Sequence, residues 1–205
     1  MNSARVQRVH VPVDTQVMKT VCFVIACLSV LPRVAASQEA NAFRVLATSR
    51  TSTMQKEMQE AGNAGFRFAA VMGGETAVGG KEVVVVMQRG RDAADGKYDY
   101  RLLATSRTST MEREMQQAAD AGFQYVGQTV FESLFGGKEV VVILEKNPAG
   151  PATRYEYRLF ATTKTSTLEK ELRQAGEGAY EVVGMTLGET SIGGTELVAI
   201  ARRSK

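Results

Sequence analysis

Arg44-Val-Leu-Ala-Thr-Ser-Arg-Thr-Ser-Thr-Met54 returns as Arg101-Leu-Leu-Ala-Thr-Ser-Arg-Thr-Ser-Thr-Met111. It returns again as Arg158-Leu-Phe-Ala-Thr-Thr-Lys-Thr-Ser-Thr-Leu168, each copy 57 residues after the one before. In the same register, Gly79-Gly80-Lys81-Glu82 recurs as Gly136-Gly137-Lys138-Glu139 and Gly193-Gly194-Thr195-Glu196. Self-similarity at one fixed period means that a single supersecondary unit is used three times.

Working outward from the repeated passage gives the unit. Tyr98, Tyr100, Leu102 and Ala104 alternate with Arg101 and Leu103, a strand of six or seven residues. The hydroxyl-rich run that follows favours a turn. Ser52 with Gln55, Ser109 with Glu112 and Ser166 with Glu169 then have capping-box spacing. A short helix is expected next, with an apolar stripe at Met54, Met58 and Ala61 that recurs at Met111, Met115 and Ala118 and at Leu168, Leu172 and Ala175. Gly65 and Gly122 stand where a helix would end in the left-handed conformation.

A second strand is expected over residues 66–72, 123–129 and 180–186, and a third over 82–88, 139–145 and 196–202. The units are residues 42–89, 98–146 and 155–203. Linkers 90–97 and 147–154 carry the Gly, Pro and charged residues of surface connections.

The third strand decides how the units sit together. Val83-Val-Val-Val86 and Val140-Val-Val-Ile143 are apolar on both faces, and a strand of that kind wants cover on both sides. One helix covers one face only, and below about 70 residues a single core is rarely sufficient. The sequence therefore predicts an α+β protein of three tandem β-α-β-β repeats packed as one pseudo-symmetric domain. Nine strands lie mainly in antiparallel sheets, with one short helix per repeat. The units are expected to bring their open sheet faces together.

The N-terminal residues read differently. Met18-Lys19, an apolar run from Val21 to Leu31 and the small residues around Ala36 describe a secretory signal peptide over residues 1–36, with Met18 as the true start. A lipoprotein box at Val24-Ile25-Ala26-Cys27 competes with it. The run is too short for a transmembrane helix, which needs about 20 apolar residues. The protein is expected to be exported, periplasmic or secreted.

Cleavage there removes His10, Cys22 and Cys27, the only histidine and both cysteines. Four of the 25 basic residues and one of the 22 acidic ones leave as well, so 21 face 21 in the mature chain. A neutral surface gives no electrostatic footprint for nucleic acid. Triads, thiol nucleophiles and zinc or copper sites need the lost side chains. No cofactor and no metal are expected, and the chain is expected not to be an enzyme.

Among the repeated polar residues, the strand-to-helix loops are the candidate ligand site: Arg50, Thr51 and Ser52; Arg107, Thr108 and Ser109; Lys164, Thr165 and Ser166. Backbone N–H groups at a helix start, hydroxyls and a cation suit a phosphate, sulfate or carboxylate. The plainer reading makes the serines helix caps. Arg44, Arg101 and Arg158 on the first strand recur with Glu82, Glu139 and Glu196 on the third, and cross-strand ion pairs are expected of them.

The unit resembles the small bacterial β-α-β-β domain of domain-of-unknown-function family 4177. The resemblance lies in the opening Tyr98-Asp-Tyr100 and Tyr155-Glu-Tyr157, in Gly65-Phe66 and Gly122-Phe123, and in Val-rich strands ending on Arg89 or Lys146. The family's Trp after the glycine is absent, and the third copy has Ala179-Tyr180. The resemblance implies the fold and carries no activity. Two function classes follow: an exported structural or protein-interaction module built from the repeats, whose partner is another protein or a second copy, and a binder of small anions through the Thr-Ser-Arg-Thr-Ser-Thr loops.

Overall fold

The structure is a computed structural model, which describes residues 42–76, 80–89, 96–132, 138–151, 153–189 and 194–205. The expected signal peptide, residues 1–36, lies outside the described residues, as do most of the 90–97 linker and much of each twin-glycine connection.

The first unit runs β1 (Ala42–Thr48), α1 (Thr51–Asn63), β2 (Arg67–Thr76) and β3 (Gly80–Arg89). The second runs β4 (Asp99–Thr105), α2 (Thr108–Asp120), β5 (Gln124–Glu132) and β6 (Lys138–Lys146). The third runs β7 (Tyr155–Thr162), α3 (Thr165–Glu177), β8 (Glu181–Glu189) and β9 (Thr195–Ser204). Three antiparallel sheets result, ordered β1-β3-β2, β4-β6-β5 and β7-β9-β8. The valine-rich strand is central in each, the position that pairs both of its edges.

The helices form as the apolar stripe requires. Met54 and Met58, and Met111 and Met115, are buried, as are Leu168 and Ala175. Gly65 and Gly122 follow the first two helices with φ of 80° and 88°, and Ala179 takes that place in the third with φ of 61°. The helix starts differ from the expected capping boxes. Each helix begins one residue before its serine, after Arg50, Arg107 or Lys164, and none of these N-caps has a side-chain cap. The hydroxyl that acts lies earlier. Thr48 Oγ1 accepts from Arg50 N (3.2 Å), Thr105 Oγ1 from Arg107 N (3.1 Å) and Thr162 Oγ1 from Lys164 N (3.2 Å). Such a turn closes the strand end before the helix opens.

The described residues form one compact body, and the cover for the open sheet faces comes from a different element than expected. α1 lies between its own sheet and the next one. Its Met54 and Met58 share a core with Val83, Val85 and Met87 on one side and with Tyr100, Val141 and Ile143 on the other. α2 does the same between Leu103, Val142 and Leu144 of its own sheet and Tyr157 and Ile200 of the third. The order is sheet, helix, sheet, helix, sheet, helix, and the substantial contacts between units run only between neighbours. Each fully buried Ile, Leu or Val at such a joint stabilises by about 1.5–3 kcal/mol. The joints are therefore much of what holds the protein together.

The helix also protects a strand edge. β4 is an edge strand whose outward N–H and C=O groups would otherwise be free to pair with another chain. Gln55 and Gln59 of α1 take that edge. Leu102 N donates to Gln55 Oε1 (2.5 Å) and Tyr100 N to Gln59 Oε1 (3.0 Å), while Gln55 Nε2 donates to Tyr100 O (2.6 Å). At the next joint Glu112 and Gln116 accept from Leu159 N (2.8 Å) and Tyr157 N (3.0 Å). In the last unit the equivalent residues, Glu169 and Arg173, have no next edge and pair with each other at 2.8 Å.

The second strand of every unit carries a bulge that sequence alternation did not show. The register slips by one residue between Phe68 and Ala70, Tyr125 and Gly127, and Val182 and Gly184. A bulge leaves ladder groups unpaired and re-aims side chains. Here Phe68 N donates to Tyr100 OH (2.8 Å) and Tyr125 N to Tyr157 OH (2.8 Å), so the first two bulges are each tied to a tyrosine of the following unit.

Candidate interaction surface

The loop residues expected to hold an anion lie at the three helix starts. Arg50 and Ser52, and Arg107 and Ser109, are exposed, with Thr51 and Thr108 half-buried, and Lys164, Thr165 and Ser166 are all exposed. The second loop lies against the third unit. Thr108 Oγ1 donates to Glu196 Oε1 (3.2 Å), and Thr105, Arg107, Lys138 and Glu196 line a cavity of about 10 Å³. That is room for one water. A carboxylate also stands where an anion would enter.

The expected Arg–Glu cross-strand pairs do not form, although the strands are neighbours. Register places Arg44 opposite Met87, Arg101 opposite Leu144 and Arg158 opposite Ala201, so the glutamates fall at the far end of the third strand. Glu82 instead accepts from Thr76 Oγ1 (2.6 Å). The arginines stack on aromatic rings: Arg44 over Phe66 at 4.3 Å, Arg101 over Phe123 at 4.8 Å and Arg158 over Tyr180 at 5.0 Å from the centroid. A second cation from the third strand reaches each ring, Arg89 at 5.1 Å, Lys146 at 5.8 Å and Arg203 at 4.8 Å. Each ring thus holds two like charges apart, and each contact contributes about 0.5–1 kcal/mol. The signal was in the sequence, as a cation, an aromatic and a cation recurring every 57 residues. These clamps fix the strand behind the helix and recur in all three units, which marks them as structural.

The first joint contains a polar cluster built on a carboxylate, where the second has Arg202, beside Tyr157 and paired with Glu181. Glu145 is fully buried. Arg67 Nε donates to its Oε1 (2.8 Å) and Tyr100 OH to its Oε2 (2.8 Å). Burial, then the neighbouring Glu145 carboxylate, push the Tyr100 phenol far above its ordinary range. This cluster corrects the expectation that the chain is not an enzyme. That expectation rested on the loss of His10, Cys22 and Cys27, which lie outside the described residues, and on the routes those side chains serve. A carboxylate, a phenol and a guanidinium are groups of the kind that serve acid–base catalysis without His or Cys. The exclusion of catalysis is withdrawn.

The two ends of the stack differ from its joints. The outer face of the first sheet carries Phe43, Val45, Val84 and Val86, the equivalents of Tyr100, Leu102, Val141 and Ile143. No helix precedes it among the described residues. Phe43 and Val45 are 60% and 66% exposed, where Tyr100 is 2% exposed. Met72, on the same face, is 58% exposed. At the other end, Val182, Met185 and Leu187 of β8 are 52%, 57% and 55% exposed. Their equivalents in unit 1, Phe68, Val71 and Gly73, lie against unit 2: Phe68 and Val71 beside Gly127, and Gly73 beside Val130. Among the described residues, these six are the large apolar side chains left exposed.

Sequence reading found the repeat that builds these ends but not the ends themselves, because equal strands read equally whether covered or bare. No family model, curated protein or solved structure matches the chain. No helix of the described residues is long and apolar enough to cross a membrane, and no cluster of His, Cys, Asp and Glu among them could hold a metal ion.

Proposed function

We propose that the chain is an exported protein-interaction module that works through the two end faces of its three-unit stack. The observation that carries this is the distribution of exposed apolar side chains: all six among the described residues lie on those faces. Exposed apolar side chains scattered singly need no explanation, but contiguous ones mark an interaction site. Export is supported by the N-terminal sequence alone. Photo-crosslinking tests the reading, with a photoreactive residue at Val45 or Leu187, and at exposed Lys170 as control, in cells that make the protein. Adducts at the end positions and none at the control are expected. Equal labelling at all three, or none, would remove the proposal.

The anion-binding reading has one observation in its favour: the first turn of each helix has neither an acidic residue nor a side-chain cap. A thermal-shift screen with phosphate, sulfated sugars and small carboxylates tests it. A rise in Tm that disappears in Arg107→Ala supports binding at the loop, and no rise with any of the three ends it.

A further inference from the structure

If the end faces are interaction surfaces, as proposed above, their own chemistry names the partner. We infer that it is a second copy of this chain, joined head to tail, with α3 and β8 of one molecule seated on the outer face of the first sheet of the next. Such a contact continues across the molecular boundary the joint that the chain makes twice inside itself.

Adding one period to the internal joints gives the residues that would meet, and they suit each other. At the first joint a Cβ on Gly127 would come within 2.6 Å of the Phe68 ring, and at the second a Cβ on Gly184 within 2.4 Å of the Tyr125 hydroxyl. A large ring on one unit therefore requires glycine on the next. At the ends the pair is Val182 with Ala70: the ring has given way to a smaller isopropyl group and the glycine has gained a methyl. The helix side agrees. At the first joint a Cβ on Gly62 would meet Tyr98 O at 2.3 Å, whereas the second joint closes over Ala119 at that place, so the position takes a glycine or an alanine. Its equivalent in α3 is Gly176, which has nothing within 4 Å and so keeps the approach open. Glu169 stands where Glu112 accepts Leu159 N at 2.8 Å, and Val45 N on the uncovered edge of β1 is the matching donor.

Two features make the intermolecular joint weaker than the internal ones. Phe43 lacks the hydroxyl with which Tyr100 and Tyr157 hold the bulged N–H of the preceding unit. Arg173 stands where Gln116 accepts Tyr157 N, and a guanidinium cannot accept. The association is therefore reversible. Because its two surfaces differ, it is heterologous and does not stop at a dimer unless it closes into a ring.

Sedimentation equilibrium on the protein as its cells release it, from about 1 μM to 1 mM, tests the inference. Concentration-dependent species beyond the monomer are expected. Val45→Glu and Leu187→Glu should each be monomeric alone, while a mixture of the two should form a dimer and nothing larger, since each supplies the end the other lacks. Met72→Glu and Met185→Glu, on the same two faces, repeat the test should either first variant fold poorly. Phe43→Tyr restores the missing hydroxyl and should tighten association about fivefold. A protein monomeric throughout, or a dimer that survives both glutamate variants, would overturn the head-to-tail joint. A monomeric protein whose end faces still crosslink to other proteins in cells leaves the interaction-module reading standing and ends this one. No crosslink at all ends both.

Discussion

The first and second sheets are nearly the same object in different surroundings. In β6, Ile143 is fully buried between α1 and its own sheet's neighbours, whereas Val86, its equivalent in β3, stays partly open to solvent on a face that nothing described covers. The backbone pairing is identical in kind, and Val86 faces Val45 as Ile143 faces Leu102. Burial here is thus a property of place in the stack, not of the strand. The joint between units, rather than the unit, is what the repeated sequence serves. That is the behaviour of solenoid proteins, whose stability sums unit terms and neighbour terms.

The comparison breaks most directly at that residue. Ile143→Ala removes three carbons from a closed site and should cost about 3 kcal/mol of unfolding free energy. Val86→Ala, on the open face, should cost about 1 kcal/mol or less. Urea denaturation at low protein concentration, where the end faces are unoccupied, measures both. Equal costs would mean that the joint contributes no more than the bare face does.

A smaller effect is expected at the tyrosine that ties the bulge. Tyr100→Phe leaves Phe68 N and a buried Glu145 oxygen without their partner and should cost about 1–3 kcal/mol. Phe43 stands at the equivalent place in the first unit, where the ring carries no hydroxyl. The phenols also give the joints a pH signature. Burial, then neighbouring Tyr157, push the Tyr125 phenol up to about 12, and burial likewise raises Tyr157. Below about pH 10 both folded and unfolded chains keep these protons. Above it the unfolded chain releases them while the folded one does not, so stability falls between about pH 10 and 12. Tyr125→Phe should flatten that fall in a series of denaturant titrations, and an unchanged slope would show that the phenol does not set it.

Much of this was legible in the sequence, because period and alternation are local. The 57-residue spacing gave three units, the Val-rich runs marked the central strands, and Gly65 and Gly122 marked the left-handed helix ends. The layer order was not legible, since nothing local says whether an open face meets a sheet or a helix. Gln55 has the spacing of a capping-box partner for Ser52, yet its side chain is spent on the edge of β4. The bulges hid in the second strand because one extra residue breaks the alternation that would reveal a strand at all. The expected ion pairs failed on register. Strand adjacency was right, but Arg44 and Glu82 stand at opposite ends of the paired strands. The end faces were invisible for a simpler reason: each is defined by what stands beside it among the described residues, not by its own strand.

The finest test compares α1 with α3 at one equivalent position. Gly62 and Gly176 sit in the same place near the ends of their helices, and a glycine there costs roughly 0.5–1 kcal/mol against alanine. In α1 that cost is unavoidable, because a methyl would strike Tyr98 O at 2.3 Å, and backbone cannot move aside as a side chain can. Gly62→Ala should therefore destabilise and loosen the edge contacts of Gln59. In α3 the same methyl enters open space, so Gly176→Ala should raise stability of the monomer by up to about 1 kcal/mol. Ala179 works in the opposite sense: it holds φ of 61° where Gly65 and Gly122 stand in the other units. Ala179→Gly should relieve a left-handed cost of about 1 kcal/mol. Thermal denaturation of the three variants reads the signs. Opposite signs at Gly62 and Gly176 would mean that the covering unit, and not helix propensity, decides what each position can carry.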